Sequence, residues 1–100
     1  MSLKIRKKMV KRNQIKINEI RLKLQQQLDS KEIELIDESH LHVGHASYNP
    51  TKMHLALQAT SPLFNGLSLL QRQRLVYKIL QREFNDCIHA LRFIALMSPD

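Results

Sequence analysis

Five histidines and one cysteine hold most of the reactive chemistry open to this 100-residue chain. Three of the histidines fall within six residues, in the run Asp37-Glu38-Ser39-His40-Leu41-His42-Val43-Gly44-His45. Neutral imidazole is the commonest metal ligand, and Gly44 supplies a bend that lets neighbouring rings converge. The H-x-H-x-x-H spacing nevertheless matches no closed structural zinc site, which needs thiolates or a fourth ligand. His89 stands near the start of the last predicted strand, where a lone imidazole is more often a core or rim residue with one satisfied hydrogen bond. Cys87, two residues earlier, falls on the same side of an extended strand. A thiolate beside a histidine suggests nucleophilic catalysis, but no Asp or Asn is placed to orient the ring, and a small half-buried residue is the plainer account. Gly-rich phosphate loops, HExxH and acid pairs at useful spacing are missing, so the chain does not read as an enzyme.

A second group of polar residues sits on a predicted helix. Gln73 falls between Leu69 and Val76 within the apolar stripe, with Arg72 on its edge. A polar group there must reach a partner or a rim, or it costs roughly 1–3 kcal/mol. Arg74, Lys78 and Arg82 recur at i, i+4 and i+8, a row suited to phosphate contacts. The same row also suits a merely solvated face.

The elements that must position these residues follow from periodicity. Ile17, Ile20, Leu24 and Leu28 share one face of a helix over 13–28, with Asn13 as a candidate cap, although the helix can begin earlier. Glu32 to Asp37 alternates as a short strand, and 39–52 is a loop marked by Gly44, Ser47, Asn49 and Pro50. Met53 to Thr60 alternates again, with Met53, Leu55, Leu57 and Ala59 on one face and His54, Ala56 and Gln58 on the other. Ser61-Pro62 and Asn65-Gly66 signal turns, and Ser68 caps a helix over 69–84. Its stripe is Leu69, Val76, Leu80 and Phe84. Residues 87–95 form a third strand whose parity places His89, Leu91, Phe93 and Ala95 together. The order helix, strand, strand, helix, strand predicts an α/β (α+β) domain: a three-stranded mixed sheet with helices packed on one face.

Composition narrows the classes further. One hundred residues make one small domain with no room for an internal cofactor cavity. A single cysteine excludes an internal disulfide framework, and no apolar run approaches the roughly 20 residues that span a bilayer. No apolar segment follows the N-terminal cations, which argues against a secretory signal and leaves a cytoplasmic protein as the expectation. The net charge of +7 is concentrated at one end. Lys4, Arg6, Lys7, Lys8, Lys11, Arg12 and Lys16 lie in the first 18 residues with no acid among them, whereas the rest of the chain is balanced. We therefore divide the chain into a basic arm, 1–12, and a domain, 13–97. The arm suits contact with a polyanion, although it lacks aromatic residues that would stack on bases.

Taken together, these residues resemble the BolA family. Asp37 to Ala46 matches its first signature, Phe64-Asn65-Gly66-Leu67-Ser68 with Arg72-Gln73-Arg74-Leu75-Val76-Tyr77 its second, and Ile88-His89-Ala90-Leu91 its closing one. The resemblance covers about residues 15 to 96. Gln73 stands where the family usually has histidine, and His54-Leu55 where it has His-Phe. The resemblance implies a fold similar to the class II KH arrangement. It also implies a partner, a monothiol glutaredoxin of the Cys-Gly-Phe-Ser type, with which a bridging 2Fe-2S cluster is shared. The glutaredoxin would contribute its cysteine and a bound glutathione thiolate. From this chain the resemblance implies His89 and a loop histidine, His42, with His45 as the alternate. No cluster is expected in the isolated chain, for which a homodimer is left open. Histidine ligation raises a cluster's reduction potential relative to all-thiolate ligation and makes its retention sensitive to pH. A transcriptional role on double-stranded DNA is also attached to the family; Arg72, Arg74, Lys78 and Arg82 with the basic arm would carry it. An interaction module that never holds metal is the third reading.

Overall fold

The computed structural model describes residues 3–39 and 52–99. The chain runs α1 (Leu3–Gln27), β1 (Ile33–Asp37), β2 (Met53–Thr60), a 3-10 turn (Pro62–Phe64), α2 (Leu69–Ile79), α3 (Gln81–Asp86) and β3 (Ile88–Met97). With no Gly or Pro between residues 3 and 27, nothing local interrupts α1. The helix therefore runs unbroken through the division expected between arm and domain, and Asn13 lies inside it. Its buried face is the expected one: Ile17, Ile20, Leu24 and Leu28 are all nearly sealed from solvent. The helix closes on Asp29, whose φ of 48° is left-handed. There the Ser30 N–H reaches the Gln25 carbonyl at 3.0 Å and the Asp29 N–H points to Gln26 at 3.4 Å, which satisfies the last carbonyls.

The sheet has the order β1-β2-β3. β1 pairs antiparallel with β2 from Ile33↔Ala59 to Asp37↔Leu55, and β2 pairs parallel with β3. Met53, Leu55, Leu57 and Ala59 line the buried face with Ile33 and Leu35, over Leu24, Leu28, Phe64, Val76 and Leu80. Ser61, fully buried, ties three elements together: its Oγ donates to the Leu28 carbonyl and accepts from the Leu63 N–H, and its own N–H donates to Met97.

Two expectations are corrected. The helix over 69–84 is two helices. α2 begins with a reciprocal cap, the Ser68 Oγ accepting from the Gln71 N–H at 3.2 Å and the Gln71 side chain accepting from the Ser68 N–H at 2.9 Å. It ends at Ile79, where Leu80 opens to ψ 18° while its side chain fills the core. Leu69, expected in the buried stripe, lies at the solvated first turn and is exposed. The second correction concerns β3, which does not keep simple parity. Its register against β2 shifts between Met53 and His54 and again between Leu57 and Gln58, leaving His89 and Ile94 as additional residues. Leu91 and Phe93 stay opposite Leu55 and Leu57, but Ala95 moves opposite Gln58 and Leu96 takes the buried place opposite Ala59.

Candidate functional site: an exposed imidazole at a register shift

The first shift in β3 determines what His89 can do. Met53 pairs with Ile88 and His54 with Ala90, so His89 has no Cα partner on β2. An additional residue of this kind bends a strand and re-aims its side chain. Ile88 and Leu91 are buried on either side, whereas His89 is exposed and has left the Leu91 face on which parity placed it. Its ring lies against that of His54, with centroids 4.7 Å apart and planes at 43°. His54 itself is only 8% exposed, on the central strand. The Glu38 N–H donates to the His54 carbonyl at 2.7 Å, and the His54 N–H donates to Ser39 Oγ at 3.1 Å. The two stems of the 39–52 connection thus meet the sheet beside this histidine pair.

A charged bridge borders the pair. Arg92, opposite Ala56, donates through Nε and Nη2 to the two carboxylate oxygens of Glu38 at 3.0 and 2.9 Å. This two-pronged hydrogen bond raises the guanidinium above its ordinary pKa and links the end of β1 to β3 across the central strand. His42 and His45, the expected loop ligand and its alternate, lie outside the described residues, as does His40. Among the described residues no group of three or more His, Cys, Asp or Glu is placed to hold a metal ion.

Cys87 is not a partner for His89 at this surface. It is buried at the end of α3, and its carbonyl accepts from the Met53 N–H at 2.7 Å. Burial, then the charge of Asp86, pushes its thiol pKa upward, while Lys16 and Arg12 oppose the rise. A protonated, enclosed sulfur is neither a nucleophile nor a ready ligand. His54, by contrast, is a site residue that strand alternation alone leaves on an undistinguished outer face. Its type was the available signal, since an imidazole on the central strand of a small sheet has neighbours on both sides.

The basic residues divide. Arg72 is half-buried and structural: Nε donates to the Leu67 carbonyl at 3.0 Å, Nη1 to Leu96 at 2.8 Å, and the guanidinium lies 5.9 Å from the Phe64 ring centre. Those bonds clamp the turn before α2 to the end of β3 and turn these donors away from a phosphate. Gln73, beside it, is partly exposed. Arg74, Lys78 and Arg82 are exposed, but the break at Leu80 places Arg82 on α3, so the three do not form one helical row. Lys78 and Arg82 instead line an open groove of about 560 Å³ with Lys23, Ile79, Gln81 and Asn85. Lys23 is held there by Glu83 at 2.9 and 3.1 Å.

Comparison with known proteins agrees with this fold. Residues 24–99 match a family profile described as BolA-like protein. The chain is 40% identical over 81 residues to SufE-like protein 1, chloroplastic/mitochondrial, of Arabidopsis thaliana, covering 76% of this chain and 22% of that protein. It is 33% identical to the UV-induced protein uvi31 of Schizosaccharomyces pombe, covering 77% of this chain and 79% of that one. The solved BolA domain of SufE1 from Arabidopsis thaliana superposes with a TM-score of 0.73 at 38% identity, over 84% of this chain and 92% of that domain. Against other plant and mammalian relatives the chain spans about half their length. No helix among the described residues is long and apolar enough to cross a membrane.

Proposed function

This chain belongs to the BolA family, and from that premise we propose that it is a non-enzymatic adaptor that binds a monothiol glutaredoxin. In this reading the two proteins share a bridging 2Fe-2S cluster, in iron–sulfur trafficking or in iron and redox regulation. The observation that carries the reading is His89: an exposed imidazole turned outward by an additional residue in β3 and backed by the His54 ring. The donor chemistry fits a shared group. An exposed imidazole is available at this surface, while the chain's one thiol is buried and held protonated, so thiolates must come from the partner and its glutathione. His42, with His45 as the alternate, would supply the second imidazole, and its connection leaves and rejoins the sheet beside His54. When bound, such a cluster supplies one-electron redox chemistry at a potential raised by imidazole ligation. The chain's own contribution is to present an imidazole nitrogen and to keep it facing outward.

The test is a titration of the chain into 2Fe-2S-loaded monothiol glutaredoxin without oxygen, followed by visible circular dichroism. A new spectrum that saturates near one-to-one and is lost in His89→Ala supports the reading. An unchanged spectrum overturns it.

A second reading, contact with double-stranded DNA, has one observation in its favour: the groove that gathers Lys78, Arg82 and Lys23. Phosphates seated there would make binding fall steeply with salt. Lys78→Glu with Arg82→Glu should then weaken duplex binding about equally across sequences and flatten its salt dependence, as expected when phosphate contacts are lost. Arg72→Ala should instead destabilise the fold. Binding unmoved by the double substitution removes this reading.

A further inference from the structure

We infer that His54 is a positioning residue for His89: its ring, fixed on the central strand, sets the direction in which the exposed imidazole points. The consequence for a bound cluster rests on the function proposed above, but the positioning itself does not. His89 sits where β3 has one residue more than β2, so the strand pairing that orders its neighbours does not hold it. β3 is also at the edge of the sheet, so among the described residues no other strand borders His89 on its far side. A side chain in that situation would ordinarily sample several rotamers. Among the described residues, a contact that opposes this is the His54 ring at 4.7 Å, within the 4.5–7 Å range in which tilted aromatic pairs attract.

His54 is suited to be the fixed member. Its backbone is bonded to Glu38 and Ser39, just past β1, it pairs with Ala90 of β3, and it is 8% exposed. It is too enclosed to meet a partner directly. The two rings therefore divide the work, with the inner one as a rest and the outer one as the contact. Binding at His89 then needs less ordering of its side chain, which is how preorganisation raises affinity.

The test uses the full chain in two states. In the free chain, three-bond couplings at the His89 Cγ and ring-to-ring NOEs report its χ1 distribution. The expected result is one dominant rotamer in the wild type, averaging in His54→Ala and His54→Gln, and restoration in His54→Phe, which returns a ring without the nitrogens. If His54→Ala does not fold, the Gln and Phe variants decide the matter. In the complex with cluster-loaded glutaredoxin, His54→Gln should keep the one-to-one stoichiometry but lose the cluster roughly 2- to 10-fold faster, the scale of one aromatic contact, with His54→Phe near wild type. Identical His89 couplings in wild type and His54→Gln would overturn the inference. If the wild type forms no shared chromophore, the adaptor reading fails while the couplings still decide the role of His54.

Discussion

Two residues apart, Cys87 and His89 present opposite chemistry, and burial is what divides them. The sulfur is enclosed at the α3–β3 junction, whereas the imidazole stands in solvent. Burial favours the neutral thiol, so the folded state holds the Cys87 proton more tightly than the unfolded chain does. The sign of the linkage follows. The stability from this group is fully present below the ordinary thiol value of 9.0 and declines as pH rises past it. Denaturant unfolding between pH 8 and pH 10.5 should show a steeper loss for wild type than for Cys87→Ala. Native Cys87 should also react with iodoacetamide only after unfolding; rapid labelling of the folded chain would contradict this burial. His89 was legible as a candidate from its type and from the motif around it. Its companion His54 was not, because the contact between the two rings depends on how two strands pair.

Strand and helix boundaries were legible where a local signal exists. The Ser68 cap, the alternation over 53–60 and the face formed by Ile17, Ile20, Leu24 and Leu28 each have one. The start of α2, the span of β2 and the buried face of α1 lie where the pattern places them, whereas the Asn13 signal falls inside α1. The register shifts at His89 and Ile94 have none. They record how a ten-residue strand fits an eight-residue neighbour while the core keeps both Leu91 and Leu96. The break at Leu80 is similar, since no Gly or Pro marks it and the side chain's place in the core sets it. Asp29 shows a third kind of compromise, a non-glycine residue at a φ of 48° that also brings negative charge to the end of α1. Relieving both penalties, Asp29→Gly should raise stability by roughly 0.5–1 kcal/mol, less the entropy that glycine adds to the unfolded chain. Asp29→Val should lower it, as read by urea denaturation. A stabilised valine variant would show that this cap is not left-handed in solution.

At the scale of the molecule, the sheet edge that holds the histidine pair and the basic groove use different parts of the fold. The pair belongs to β2 and β3 beside the stems of the connection at 39–52, and the groove to α1, α2 and α3. The architecture was legible from the order of elements, and the family from three motifs in sequence. The proposed partner rests on that family resemblance alone, because composition and spacing do not name a glutaredoxin. The central claim is that an imidazole of this chain bonds to the shared cluster, and pulsed electron paramagnetic resonance tests it most directly. The chain would be labelled with 15N-histidine, joined to unlabelled, cluster-loaded glutaredoxin and reduced by one electron. A strong 15N coupling, lost or halved in His89→Ala, is the expected result. A spectrum without 15N coupling from this chain, in a complex shown to be one-to-one, would contradict it.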